Sequence, residues 1–400
     1  MLRDFLISLY LLATRLLFSF CKLLPEKNKT TFVASFGLNV DYVSKACLKQ
    51  IDHQLIILKT AQCQFDFCTD ERLLVLPFGT GNAIDFIKSI YHLATSKIVF
   101  VDNYYGFLAV TRFRPEVKCI QLWHAAGAIK RFGLKDPTIK TRSAAAHKRF
   151  KAVYNRFDHV VVGSDQMANI FKQSFGIEEA KMLKTGIPRT DFFFDLVKLN
   201  EAKLSVTKNY PAINGKKVLL YAPTFRDAEL SGAKLHLDLA LMKQQLGNDY
   251  LLMLKLHPAV QNKIELGQDS FIVHVANDQD INDLLTITDL LITDYSSIPF
   301  EFSLLNKPMV FYCYDLEAYE QERGFWSDYQ LNMPGPVVKT TEGLVAAIKE
   351  NHFDLTIVQA FAKQWNSYSD GRSSERLVNY IATGMSKVNG QKKKKHLVDS

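Results

Sequence analysis

The 400-residue chain carries a formal charge of +8 and a pI near 9.0, with 48% hydrophobic and 22% charged residues. That composition excludes a disordered or collagen-like chain, and the length exceeds one ordinary domain, so two folded domains are expected. The positive charge favours anionic partners (nucleic acid, acidic lipid headgroups or phosphorylated substrates) without choosing between them.

Cys21, Cys47, Cys63, Cys68, Cys119 and Cys313 form no Cys-x-x-Cys pair and no zinc-like spacing with histidine. This argues against a disulfide framework and against a structural metal, and suits a reducing compartment. Residues 5–24 are the most apolar stretch, long enough to span a bilayer. On a helix, however, Asp4, Ser8, Arg15, Ser19 and Lys22 gather in one arc. Arg15 falls near the middle, where a spanning helix tolerates charge least, and no small-x-small cleavage site precedes Pro25. The expectation for 1–29 is an amphipathic helix in the membrane interface; a helix packed on the domain core is the alternative.

From Thr30 onward, short apolar runs alternate with polar, helical stretches. Strands are expected at 31–36, 54–59, 73–77, 97–102, 117–123 and 160–163, with helices such as 40–50 and 83–94 between them. A second series places strands at 218–222, 250–256, 270–275, 290–293 and 309–312, with helices at 236–245, 281–286 and 298–305. This alternation predicts an α/β protein of two Rossmann-like domains, 30–200 and 201–385, each a parallel sheet covered by helices. The polar stretch 192–215, broken by Tyr210-Pro211 and Asn214-Gly215, reads as the join. Residues 386–400, with Lys392 to Lys395, read as a basic flexible tail with some affinity for acidic lipid.

Parallel sheets bind ligands outside the carboxyl ends of their strands, so the residues there are the candidates for chemistry. The run 117–123 ends in Trp123-His124-Ala125-Ala126-Gly127, followed by Lys130 and Arg131. A histidine at a strand end, beside a glycine that permits close backbone approach, is placed for proton transfer near neutral pH. In the second series, Thr224 and Arg226 follow one strand and His257 another; a threonine, an arginine and a histidine suit phosphate recognition. The run 290–293 turns through Asp294, Tyr295, Ser296 and Ser297 into a helix with Pro299 in its first turn. Serine at the cap and proline at the first turn suit a helix N-terminus, which favours phosphate, and Glu301 lies one turn on. Arg323, before Gly324, is a further candidate for phosphate, with a surface salt bridge as the equal alternative. Asp370-Gly371-Arg372 through Glu375-Arg376 reads first as helix capping. Gly79-Thr80-Gly81 lacks the third glycine of a dinucleotide fingerprint, with Ile84 in its place, and no P-loop occurs.

Taken together, Gln121-Leu122-Trp123-His124 with Gly127, Lys130 and Gly133 resembles the first signature of the CDP-glycerol glycerophosphotransferases of wall teichoic acid synthesis. Tyr221 to Arg226, Lys255 to Pro258, Asp294 to Glu301, Tyr319 to Gly324 and Asp370 to Arg376 match the later signatures in order. The resemblance implies a glycosyltransferase-B type fold, with two domains facing a central cleft, in a peripheral enzyme at the cytoplasmic face of the cell membrane. It implies CDP-glycerol or CDP-ribitol as donor, a lipid-linked acceptor, release of CMP, and neither cofactor nor metal. Carried onto this chain, His124 would be the base that deprotonates the acceptor. His257, as a second catalytic residue, would hold the pyrophosphate with Thr224, Arg226, Ser296 and Ser297, with Asp294 on the donor side and Glu301 on the ribose; Lys130 and Arg323, from the residues themselves, are further candidate substrate contacts. The usual Trp-His-Gly-Thr-Pro-Leu-Lys departs here to Ala125-Ala126-Gly127-Ala128-Ile129-Lys130 after His124. With the short chain, that departure suggests the enzyme adding the first glycerol phosphate to an undecaprenyl-diphosphate-linked N-acetylmannosaminyl disaccharide. A chain-extending or ribitol-phosphate transferase of the same family remains open, as does a non-catalytic nucleotide-binding or membrane-surface protein. Other teichoic acid enzymes are candidate partners; nucleic acid is not, for no RNA-binding signature accompanies the charge.

Overall fold

A computed structural model describes residues 2–213, 215–224, 226, 235–256 and 270–383. The basic tail 386–400 lies outside the described residues. The chain forms two compact units, the first comprising residues up to 125, 132–191 and those from 367, the second 126–131 and 192–366.

The first unit is built on seven parallel strands: β1 (Lys29–Ala34), β2 (Gln54–Thr60), β3 (Leu73–Phe78), β4 (Ile98–Val101), β5 (Lys118–Gln121), β6 (His159–Val161) and β7 (Met182–Leu183). Their order is β3-β2-β1-β4-β5-β6-β7. Every residue of β1 and β4 is buried, which is why these strands read as continuous apolar runs with little alternation. Phe32 of β1 and Phe100 of β4 stack at 4.9 Å across adjacent strands. Helices α1 (Leu2–Cys21), α2 (Leu38–Gln50), α3 (Ala83–Thr95), α4 (Ala144–Tyr154) and α5 (Asp165–Phe175) accompany the sheet.

The second unit has six parallel strands: β8 (Lys217–Tyr221), β9 (Tyr250–Leu254), β10 (Ile272–His274), β11 (Leu290–Thr293), β12 (Met309–Tyr312) and β13 (Val337–Val338). Their order is β10-β9-β8-β11-β12-β13. Leu219, Leu252, Ile292 and Val310 from four neighbouring strands meet Leu344 and Ile348 of the helix Thr341–Glu350 in its core. Both sheets follow the doubly wound order, in which the chain leaves its first strand in one direction and returns beside it to continue in the other. The crevice this creates opens between β1 and β4 in one unit and between β8 and β11 in the other.

The expected strands are all present, displaced by a residue or two at their ends. β7 and β13 were not expected, because two residues carry no readable period. Both units are discontinuous in sequence, whereas the expected domains were contiguous. The second unit takes 126–131 from within the first and its main run from Phe192, and residues from 367 return to the first. There Arg376 Nε donates to the Thr185 carbonyl at 3.0 Å, and the Ile187 N–H donates to Ser369 Oγ. The N–H groups of Ser373 and Ser374 open the helix 373–383, and they donate to the two carboxylate oxygens of Asp191 at 2.8 and 2.9 Å. The cap expected from Asp370 to Glu375 thus comes from a residue far away in sequence.

Helix α1 packs on the first unit along one seam and leaves the rest of its apolar surface exposed. A narrow seam including Thr14, Phe18 and Cys21 is buried, with Phe18 edge-on to Phe113 at 5.4 Å and Tyr10 near Phe86 of α3 at 6.0 Å. The rest displays apolar side chains, among them Phe5 at 65% and Leu16 at 63% exposure. By length and composition this helix is also apolar enough to cross a membrane. All six cysteines carry free thiols, five of them buried.

Asp191→Ala leaves two first-turn N–H groups without their acceptor. It is expected to lower stability by about 1–2 kcal/mol in urea unfolding, with Asp191→Asn losing less.

Candidate active site

In the first unit the site grows from the end of β4. The buried Asp102 carboxylate accepts the N–H groups of Ser35, Phe36 and Gly37, at 2.9 Å each, and the Tyr105 hydroxyl at 2.7 Å. Burial pushes its carboxyl up from the ordinary range, opposed by these donors. The carboxylate thereby ties the end of β4 to the turn after β1, across the crevice.

His124 sits on this tie. Its Nδ1 lies 3.3 Å from the Asp102 carbonyl, and its ring stacks on Phe36 at 3.9 Å and on Trp123 at 4.3 Å. A carbonyl only accepts, so this bond puts the proton on Nδ1 and makes Nε2 the basic nitrogen. Trp123 holds a φ of 60°, a left-handed conformation that costs a bulky residue about 1–2 kcal/mol. Side chains offset that cost: Gln121 Oε1 accepts the Trp123 N–H at 2.8 Å, and Asn39 Nδ2 donates to the Trp123 carbonyl at 2.9 Å. Arg189 Nη1 donates to the His124 carbonyl at 2.8 Å, while its own N–H binds Asn39 Oδ1. The backbone of Trp123 and His124 is therefore held by three side chains.

In the second unit the corresponding tie is Asp294, which follows β11 and is 1% exposed. Its Oδ1 accepts the Thr224 N–H at 2.7 Å, linking the end of β11 to the turn after β8. Its Oδ2 accepts Arg226 Nη1 at 3.0 Å. Arg226, expected to grip phosphate, is instead 9% exposed and committed to carboxylates. Its Nε and Nη2 reach Asp315 at 2.8 and 3.1 Å, and its guanidinium lies among the rings of Tyr295, Tyr314 and Tyr319, 4.7–5.5 Å from their centroids. Tyr295 also donates its hydroxyl to Asp315 Oδ1 at 3.0 Å.

Burial works against the Arg226 charge, and the two carboxylates more than restore it. Burial also opposes ionisation of Asp315, but the Arg226 fork outweighs it and holds this carboxyl below the usual range. At Asp294 burial dominates and the carboxyl is raised despite its donors. The contrast follows from geometry: Asp315 receives the paired N–H groups and keeps some solvent, whereas Asp294 has neither.

The turn after Asp294 also differs from expectation. Ser297 precedes the helix but makes no side-chain cap bond; the Ser296 hydroxyl instead bonds Thr293 Oγ1 at 2.8 Å and accepts the Ile298 N–H at 3.4 Å. The helix Ile298–Phe302 has five residues, so its dipole is small. Glu301, 2% exposed, accepts the Ala126 N–H at 3.3 Å. The segment 126–131 is laced to this unit by the Arg131 N–H on the Gly324 carbonyl and the Trp326 N–H on Ile129. Gly127 explains itself here, since a Cβ would meet the Phe300 ring at 2.5 Å. Lys130 lies over Tyr319, and burial lowers its pKa, as do Arg323 and Arg226, while Asp294 opposes them. Arg323 ends the helix Leu316–Arg323 and pairs with Glu322 at 3.4 Å. His257 lies outside the described residues.

Sequence reasoning missed Asp102, Asn39, Arg189 and Asp315. Asp102 carried a signal, as a carboxylate closing an apolar run. Asn39 and Arg189 carried none, because Arg189 meets Asn39 across 150 residues and His124 across 65. Arg226→Ala removes the counter-charge of buried Asp294 and is expected to cost about 3–5 kcal/mol in urea unfolding. Arg226→Lys, which keeps the charge but not the planar fork, is expected to recover less than half of that loss.

A family model described as CDP-glycerol:poly(glycerophosphate) glycerophosphotransferase matches residues 38–383. The chain is 39% identical over 385 residues to the teichoic acid glycerol-phosphate primase of Bacillus subtilis (strain 168), covering 95% of this chain and 98% of that protein. It is 38% identical over 299 residues to the teichoic acid ribitol-phosphate primase of Bacillus spizizenii (strain ATCC 23059 / NRRL B-14472 / W23), covering 74% and 77%. Among solved structures, the wall teichoic acid polymerase TagF superposes with a TM-score of 0.79 at 23% identity, over 97% of this chain and 99% of that one, a likeness of fold. The match over most of the chain and the extent of identity together establish that this protein is an enzyme of the CDP-glycerol glycerophosphotransferase family of teichoic acid synthesis.

Proposed function

We propose that the protein transfers glycerol phosphate from CDP-glycerol to the N-acetylmannosamine of an undecaprenyl-diphosphate-linked disaccharide, releasing CMP. The observation that carries this reading is the 39% identity to a glycerol-phosphate primase over 98% of that relative's length. In the proposed step, His124 Nε2 takes the proton of the acceptor hydroxyl as its oxygen attacks the glycerol-bearing phosphorus of the donor. The bond from that phosphorus to the bridging oxygen breaks, and CMP leaves with the electron pair. The Nδ1–H···O=C bond to Asp102 supports this role, because it holds the ring in the tautomer whose Nε2 is basic.

The two units are read as the acceptor and donor halves of a glycosyltransferase-B type enzyme. On the donor side, Thr224, Ser296, Ser297 and His257 are assigned to the pyrophosphate. Lys130 meets the negative charge that develops on the leaving group, a task for a cation held in a poorly solvated place. Asp294, Arg226 and Glu301 are reassigned from donor contacts to the frame behind them: all three are buried, Asp294 and Arg226 bond each other and neighbouring turns, and one Glu301 oxygen accepts the Ala126 N–H. The exposed apolar face of α1 supports a peripheral position on the cytoplasmic face of the membrane, where the acceptor lipid resides. The identity to a ribitol-phosphate primase favours a second reading, with CDP-ribitol as donor.

Both donors should be offered with the lipid-linked disaccharide and product masses measured. A single glycerol phosphate per acceptor is expected; multiple additions, or turnover with CDP-ribitol alone, would replace the leading reading. His124→Ala is expected to cut CMP release by about 10²–10⁴-fold with little change in donor affinity. Near-normal release would remove the base assignment. Deleting residues 1–24 is expected to free the protein from vesicles of phosphatidylglycerol and phosphatidylethanolamine without unfolding it, as read by co-sedimentation and circular dichroism.

A further inference from the structure

A hollow of about 400 Å³ opens in the first unit at the carboxyl ends of β2 and β3, lined by Lys59, Thr60, Cys63, Val75, Pro77 and Thr80, with Ala61 on its wall. It lies at the same end of the parallel sheet as His124, and nothing derived so far uses it. Its lining is mainly apolar, with one ammonium group. Thr60 and Thr80 have committed their hydroxyls, to Ser35 Oγ at 3.3 Å and to Asp85 Oδ2 at 3.2 Å. Lys59 bonds the Asp66 carboxylate at 3.2 Å; that carboxylate is 97% exposed, so the pair is weak and exchangeable.

The surroundings extend the apolar surface. Leu74 and Val75 of β3 are exposed at the edge of the sheet, and Ile84 (63%) and Ile87 (51%) of α3 stand exposed just beyond Thr80. Helix α1, with its outward leucines and phenylalanines, packs along α3. The first unit therefore offers an apolar face, then a hollow with a lysine, then His124 at the end of β5. β5 is three to four strand spacings from the hollow, roughly 14–19 Å at ordinary interstrand separation. An amphiphile whose hydroxyl must reach His124 while its hydrocarbon stays on the apolar face has to cross this interval with its polar head.

We propose that this hollow seats the phosphate-proximal isoprenoid of the polyprenyl-diphosphate acceptor, with Lys59 against the phosphate. The inference rests on the acceptor reading given above and deepens it. The apolar wall of Val75, Cys63 and Pro77 matches the hydrocarbon. Lys59 exchanges its solvent-exposed partner Asp66 for the phosphate, and the saccharide spans the remaining distance to the base. The separation thus acts as a gauge of how many sugars the acceptor carries.

Ala61→Trp fills the hollow from its exposed rim, and Lys59→Gln removes the cation. The probes are the undecaprenyl-diphosphate disaccharide in vesicles of phosphatidylglycerol and phosphatidylethanolamine, and the same disaccharide as a simple methyl glycoside in solution. Each variant is expected to raise KM for the lipid-linked acceptor at least about tenfold, with kcat and the KM for CDP-glycerol within about twofold of the unmodified protein. The same variants should treat the methyl glycoside as the unmodified protein does. Unchanged KM for the lipid-linked acceptor, or an equal loss with both acceptors, would overturn the subsite while leaving the functional reading standing. Failure of the unmodified protein to use either acceptor would overturn that reading and the subsite with it. Thermal unfolding and vesicle co-sedimentation of the variants separate loss of the subsite from loss of fold or of membrane contact.

Discussion

Each sheet is closed at its crevice by an aspartate that follows the fourth strand and captures the turn after the first. In the first unit Asp102 holds the N–H groups of residues 35 to 37; in the second Asp294 holds the Thr224 N–H. A doubly wound sheet splays its connections apart at this point, leaving backbone donors without partners. A buried carboxylate satisfies several at once, and the hydrogen bonds offset only part of the burial that favours its neutral form. The turns that carry the candidate chemistry are thereby fixed to the rigid strands.

The same device does different work in the two units. Asp102 also offers its carbonyl to His124, so the residue that shapes the turn also sets the tautomer of the proposed base. Trp123 adds backbone strain, held in place by Gln121 and Asn39, and strain of this kind is concentrated where a side chain must be aimed. Asp294 instead recruits Arg226, and through it Asp315 and a group of tyrosines. A guanidinium so fully bonded has little left to offer phosphate. Its value lies in rigidity: two carboxylates on separate turns share one planar cation, so neither turn moves without stripping a buried charge.

The N-terminal helix gives the first unit a second surface with its own logic. A helix serving only the core would bury a wide apolar stripe, whereas α1 buries a narrow seam and leaves leucines and phenylalanines in the open. Exposed apolar side chains on α1, α3 and the edge strand β3 are contiguous in the chain of packing from helix to helix to strand. In the proposed reading, with an acceptor that is part lipid, this surface is where the hydrocarbon would lie.

The alternation of buried strands and helices was legible in the sequence because parallel strands, covered on both faces, must be continuously apolar. The family signatures were legible too, as short runs at strand ends: His124 after β5, Thr224 after β8, Asp294 after β11. What those side chains do was not. Arg226 looks the same in sequence whether it grips a phosphate or two carboxylates; only the fold brings Asp315 within reach, 89 residues away. Glu301 is similar: its sequence gives no sign of Ala126, 175 residues earlier, whose N–H one of its carboxylate oxygens accepts. The sequence by itself determined the elements, their order and the positions where chemistry concentrates, because periodicity and strand ends are local properties. Tertiary structure alone decided which polar groups hold the turns at the strand ends, because hydrogen bonds saturate and their partners come from distant parts of the chain.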